Sequence, residues 1–323
     1  MIYPGKLEKG DLIKIISPSN GIIKEKKIKQ LEDAKKYLVS KGYVVEEDKY
    51  VRNSIFGASS SDVDRALEFN KNMDDSSVKA MMACSGGDFL NQMLDYVKFN
   101  KIKNNVKWIQ GQSDITSLLY YITTKYDIAT IYNFNVKTYG DSSIPQEMLD
   151  NSISLLENKN IVQREYGYQI KEENENISWK CINEFKPIKG RLIGGCLESL
   201  KDLIGTKYDC TKKFIEKYKD DGIVWYFDIY SMSNEDILRT MWQLKHLGWF
   251  KYTKGILFGR LYEEINYTGI SFENVVQYYL KDLNVPILIN TDIGHTDPVM
   301  SLVNGAIVKI NHNNVFEMET IFE

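Results

Sequence analysis

Over the first 132 residues, short apolar runs alternate with helix-like amphipathic stretches, and this alternation narrows the possible folds more than any other feature. Strand-like runs fall at residues 11–16, 43–46, 78–84, 106–109 and 128–132. Helical patterns fill the intervals at 24–41, 62–72, 89–97 and 114–124. Five strands separated by helices at this spacing predict an α/β domain with a parallel, doubly wound sheet. Such sheets place their sites in the loops that leave the strand carboxyl ends. Three loops are therefore expected to converge: Ser17-Pro-Ser-Asn-Gly21, Ser85-Gly-Gly87 and Gly111-Gln-Ser113.

The third loop joins a buried strand to a helix through only three residues, so the chain must reverse sharply there. That is the layout of a nucleophile elbow, where a tight turn exposes a serine and the following helix offers unpaired backbone N–H groups. The usual glycine after the elbow is absent, since Ile115 follows Asp114. Capping of the helix by Ser113 or Asp114 is the competing reading.

At 323 residues the chain exceeds one ordinary core, and two domains are expected. The boundaries read as 1–140 for the first, 141–187 for an inter-domain stretch and 188–323 for the second. The inter-domain stretch holds one helical pattern at 146–158 and the polar run Lys171-Glu-Glu-Asn-Glu-Asn-Ile. Forty-one Lys and Arg against 44 Asp and Glu leave a net charge of −3, which gives no footing for nucleic acid or an anionic membrane as partner. No apolar run is long enough to span a bilayer, and the first residues lack a signal-peptide core. Cys84, Cys181, Cys196 and Cys210 have no close pair spacing, so neither a metal knuckle nor a disulfide framework is expected. A cytoplasmic location follows as the expectation.

Three histidines limit the choice of a base. His246 lies late in an amphipathic helical pattern and reads as a helix-end or packing residue. His312, in Asn311-His-Asn-Asn, reads as part of a hairpin turn. His295 follows an apolar strand in the turn-rich Thr291-Asp-Ile-Gly-His-Thr-Asp-Pro, which suits either a general base or a histidine bonded to its own loop. Asp228 ends the apolar run Ile223-Val-Trp-Tyr-Phe; a carboxylate there caps the next segment or serves a site. Glu235 and Asp236 are explained by the dipole of the helix they open. Ser85-Gly86-Gly87 presents N–H groups suited to a phosphate or to a second oxyanion contact beside the Asp114 N–H. Cys84 reads as a small core residue, and no metal or dinucleotide motif is present.

Taken in order, these motifs resemble the LD-carboxypeptidase family of serine peptidases. The resemblance runs through Asp11-Leu-Ile-Lys-Ile-Ile-Ser-Pro-Ser, Ser85-Gly-Gly87 with Leu94-Asp95, and Gly111-Gln-Ser-Asp-Ile-Thr116. It continues through Gly190-Arg-Leu-Ile-Gly-Gly-Cys-Leu197 with Leu203-Ile-Gly-Thr206, and ends in Gly294-His-Thr-Asp-Pro298 with Asn304-Gly305. It implies a flavodoxin-like first domain, a smaller α/β second domain and a triad assembled from both. Ser113 would be the nucleophile, His295 the base and Asp228 the acid, where the family carries a longer Glu. The Asp114 N–H and a glycine N–H, from Gly87 in preference to Gly86, would hold the oxyanion. Gln112 stands where the family has an aromatic residue. The resemblance further implies a cytoplasmic homodimer with no metal or cofactor, acting on a small peptide or muropeptide. The implied substrate is a murein tetrapeptide that loses its terminal D-Ala. Alternatives are a microcin-immunity type of hydrolase acting on peptidyl or aminoacyl nucleotides, or a binding homologue with impaired turnover.

Overall fold

The computed structural model describes residues 1–170 and 175–322. They form two compact units, one of residues 1–159 with 301–303, the other of residues 160–300 with 304–323.

In the first unit, β1 (Leu12–Ile16), β2 (Val44–Glu47), β3 (Val78–Ala83), β4 (Trp108–Gly111) and β5 (Thr130–Tyr132) form a sheet in the order β2-β1-β3-β4-β5. Every pairing among these five is parallel. This is the flavodoxin-like order, and the strand sequence reverses between β1 and β3, where such sheets open a crevice at their carboxyl ends. The burial of β4 on both faces explains its unbroken apolar and polar-amide content, whereas the edge strand β2 shows the alternation of a half-exposed strand. The helix Thr116–Tyr126 is buried along nearly its whole length, so its expected single apolar stripe understates its burial. Ser61 caps the helix Asp62–Asp74 by accepting from the Asp64 N–H at 3.2 Å.

The second unit holds an eight-stranded sheet. Its centre is parallel, with Ile188–Cys196, Ile223–Asp228, Thr253–Gly259 and Ile287–Thr291 adjacent in that order. Antiparallel strands complete both edges. All six residues of Ile223–Asp228 are buried, as a central strand requires. Trp225 stacks on Trp249 with ring centroids 5.3 Å apart, anchoring that strand to the segment after the helix Asn234–His246.

The sequence reading departs from the structure in the expected inter-domain stretch and at the size of the second domain. The helix Gln146–Leu156 buries Met148, Leu149, Ile153, Leu155 and Leu156 within the first unit. Ile161–Arg164 pairs with Val315–Ile321, and Lys180–Cys181 with Ile287–Thr291, at opposite edges of the second sheet. Edge strands of two to four residues carry too few side chains to show a period. Their inclusion makes the second unit as long as the first, not smaller. Residues 171–174 of the polar run, with Glu323, lie outside the described residues. The first sheet also gains Leu302–Asn304 beside β5, a strand only three residues long that sequence pattern did not reveal. The helix expected at 89–97 is instead one α-turn, Leu90–Met93, followed by the 3-10 turn Leu94–Tyr96.

Candidate active-site residues

Ser113 follows β4 and opens a 3-10 turn, Ser113–Ile115, that leads into Thr116–Tyr126. Its φ is 71°, a left-handed conformation that costs a non-glycine residue on the order of 1–3 kcal/mol. Neighbouring groups hold it there: the Ser113 N–H donates to Tyr132 Oη at 3.1 Å, and the Gln112 N–H donates to Asn135 Oδ1 at 3.3 Å. Neither Ser113 nor Asp114 caps its own helix, because no side-chain cap bond is made at either helical start.

Asp114 instead ties the three expected loops together. Its Oδ2 accepts from Ser19 Oγ at 2.5 Å, from the Phe89 N–H at 3.0 Å and from the Leu90 N–H at 2.9 Å. Burial pushes this carboxyl above its usual range, and these three donors act in the opposite direction. Arg65, itself buried, reaches the same loops by donating to the Pro18 and Phe89 carbonyl oxygens at 2.6 and 2.8 Å. The Asp114 N–H lies in the first helical turn, where backbone donors have no partner within the helix.

The two glycines fit this loop cluster sterically. A Cβ on Gly86 would stand 2.8 Å from Ser113 Cβ and 3.0 Å from its Oγ, so the glycine lets the loop lie against the serine. A Cβ on Gly87 would meet Asn20 Oδ1 at 2.2 Å and Ser19 Oγ at 2.4 Å, and its φ of 152° also disfavours a side chain. Cys84 is fully buried, and burial pushes its thiol up to about 12, in keeping with a core role.

The second unit brings Asp228 and His295 together. Asp228 ends its strand with no solvent exposure, and its Oδ1 lies 3.0 Å from His295 Nδ1. The aspartate reaches the imidazole although it is one methylene shorter than the glutamate the resemblance implies. Gly294 provides the room, for a Cβ there would stand 2.2 Å from Asp228 Oδ1. Its φ of 109° turns the loop just before the histidine. Behind this loop, Arg260 pairs with Asp292 at 2.7 Å, both almost fully buried, and Arg260 also donates to the Thr296 carbonyl oxygen at 2.9 Å. Burial outweighs that pairing and lifts the Asp292 carboxyl to about 6. Tyr230 lies with its ring centroid 4.5 Å from that of His295.

Of the other histidines, His246 bonds through Nδ1 to the Trp242 carbonyl oxygen at 2.8 Å within its own helix. His312 lies in the strand Ile307–Asn313 against Phe316, two residues before the turn at Asn314. Sequence reasoning did not single out Ser19, Arg65, Tyr132 or Tyr230. Their roles come from tertiary contacts that no local motif encodes; only Ser19 lay in a loop already marked. Among the described residues, no group of three or more His, Cys, Asp and Glu could hold a metal ion, and no helix is long and apolar enough to cross a membrane.

A flavodoxin-like sheet bearing a left-handed serine elbow, with a second α/β unit bearing a histidine–carboxylate pair, defines a two-unit α/β protein. The chain belongs to the LD-carboxypeptidase family: the family's N-terminal domain matches residues 13–133 and its C-terminal domain residues 189–310. A Vibrio cholerae protein named "Putative carboxypeptidase" is 27% identical over 99% of this chain and 98% of its own. The Escherichia coli microcin C7 self-immunity protein MccF is 24% identical over 86% of this chain and 84% of its own. A Bacillus subtilis protein named "Probable murein peptide carboxypeptidase" is 24% identical over 95% of this chain and 91% of its own. Among solved structures, an MccF-like protein from Bacillus anthracis superposes with a TM-score of 0.83 at 23% identity over the whole of both chains, a likeness of fold.

Proposed function

We propose that this protein is a serine carboxypeptidase that hydrolyses an L,D-peptide bond and releases terminal D-Ala from a murein tetrapeptide. The observation that carries the reading is the buried Asp228 carboxylate on His295 Nδ1. A carboxylate there selects the tautomer with its proton on Nδ1 and leaves Nε2 as the proton acceptor. In the proposed cycle, Nε2 takes the Ser113 hydroxyl proton and Oγ bonds to the scissile carbonyl carbon. The resulting oxyanion is held by the Asp114 N–H and a glycine N–H of the Gly86-Gly87 pair. The C–N bond then breaks as His295 returns the proton to the departing amine, and water cleaves the acyl-enzyme by the same route. The left-handed Ser113 supports the nucleophile assignment, since an elbow serine is held in such a strained turn. The murein substrate is supported by the Bacillus subtilis relative's name.

A second reading, hydrolysis of an aminoacyl or peptidyl nucleotide, is supported by the relative named as a microcin self-immunity protein. Wild-type protein and Ser113→Ala are incubated with murein tetrapeptide and, separately, with an aminoacyl-sulfamoyl adenosine, and the products are weighed by mass spectrometry. Release of D-Ala by the wild type, with S113A slower by about 10⁴-fold or more, is expected. Cleavage of the nucleotide alone replaces the first reading with the second. Turnover of neither, with no labelling of Ser113 by a fluorophosphonate, overturns both.

A further inference from the structure

A hydrogen bond at Nδ1 orients an imidazole but does not by itself fix how far the ring tilts about its Cβ–Cγ bond. In a general base the direction of Nε2 matters as much as its protonation, because a misplacement of about 1 Å costs about a hundredfold in rate. What fixes the plane of His295 is therefore a separate question from what fixes its tautomer.

Several groups outside the proposed triad bear on it. The Tyr230 ring packs on the imidazole at 4.5 Å, tilted by 39°, and is backed by Tyr262 at 5.1 Å. Tyr230 is 44% exposed, so burial alone does not hold it in place. Its backbone is clamped instead. Glu198 Oε1 accepts from the Tyr230 N–H at 3.0 Å and from the Ser231 N–H at 2.8 Å. The other oxygen, Oε2, accepts from Cys196 Sγ at 3.1 Å. Cys196 is the register partner of Asp228 on the adjacent parallel strand, so the clamp and the acid are set by the same pair of strand ends.

We infer that Glu198 and Tyr230 are positioning residues. Glu198 fixes the turn that follows Asp228, and that turn holds the Tyr230 ring on the face of His295. The imidazole is thus gripped on one edge by Asp228 and on one face by Tyr230. Hydrogen bonds to a charged carboxylate are the stronger kind, which suits a clamp that must hold a half-exposed ring. The hydroxyl of Tyr230 has no part in this arrangement; the ring does.

The inference rests on the proposed base role of His295, and the experiment separates the two. The first readout is the rate at which a fluorophosphonate acylates Ser113 in the full-length protein. Tyr230→Leu and Glu198→Ala are each expected to slow it by at least about tenfold with an unchanged melting temperature. Tyr230→Phe, which keeps the ring, and Glu198→Gln, which keeps an acceptor oxygen, are expected to restore most of the rate. Equal rates for wild type and Y230L, or equal losses in Y230F and Y230L, overturn the inference. The second readout needs no reaction. The His295 ring protons carry a ring-current shift from Tyr230 in the NMR spectrum, and E198A is expected to reduce it. An unchanged shift in E198A overturns the clamp even if Ser113 proves unreactive, which would overturn only the catalytic reading.

Discussion

Ser113 occupies a conformation that glycine adopts freely and serine does not. Ser113→Ala keeps a Cβ and inherits the cost, whereas Ser113→Gly sheds it. S113G is therefore expected to melt above S113A, by an amount on the order of 1 kcal/mol, read from denaturant midpoints. Equal stabilities would mean that the neighbours, not the side chain, set this turn. The Asp228 and Gly294 pair makes a second residue-scale case. Gly294→Ala would drive a methyl into the Asp228 carboxylate, and turnover of the preferred substrate is expected to fall about a hundredfold. Asp228→Glu, although it supplies the longer acid the resemblance implies, adds a methylene where the shorter acid already reaches 3.0 Å, and no gain over wild type is expected. The short acid and the loop glycine are best viewed as one fitted pair.

Among the elements, the loops and helices around the first sheet carry a pH signature. Asp48, just past β2, is buried with both carboxylate oxygens accepting from Asn72 Nδ2 at 2.9 and 2.8 Å. Burial lifts its pKa to about 6, against which the Asn72 bonds act. The folded state thus binds this proton more tightly than the unfolded chain does. The stabilising contribution is present below the ordinary carboxyl range and is lost as pH rises toward 6 and beyond. The melting temperature of wild type relative to Asp48→Asn is expected to fall between pH 4 and pH 7; Asp292 adds a parallel slope that D48N leaves in place. The long, buried elements were the legible ones. β1, β3 and β4 announced themselves as apolar runs, and the serine and histidine loops carried recognisable motifs. The polar edge strands Ile161–Arg164 and Lys180–Cys181 did not, because their pairing is decided by a partner far along the chain. The Glu198 clamp escaped notice for the same reason: its acceptor and donors are 32 and 33 residues apart.

At the scale of the whole molecule, the chain leaves the first unit at residue 159 and returns for residues 301–303. Leu302–Asn304 then lies beside β5 in the first sheet. A fragment of residues 1–159 lacks this strand and bares the backbone N–H and C=O groups along β5, an arrangement that invites edge-to-edge association. Expressed alone, it is expected to elute as aggregates in size-exclusion chromatography, and a well-behaved monomer would show that the short strand is dispensable. The same topology decides how the gene can be divided. A break after codon 159 yields one product missing a piece and another carrying the piece its counterpart lacks, so the two should recover native structure only when mixed. That mutual dependence is what a split-protein reporter requires.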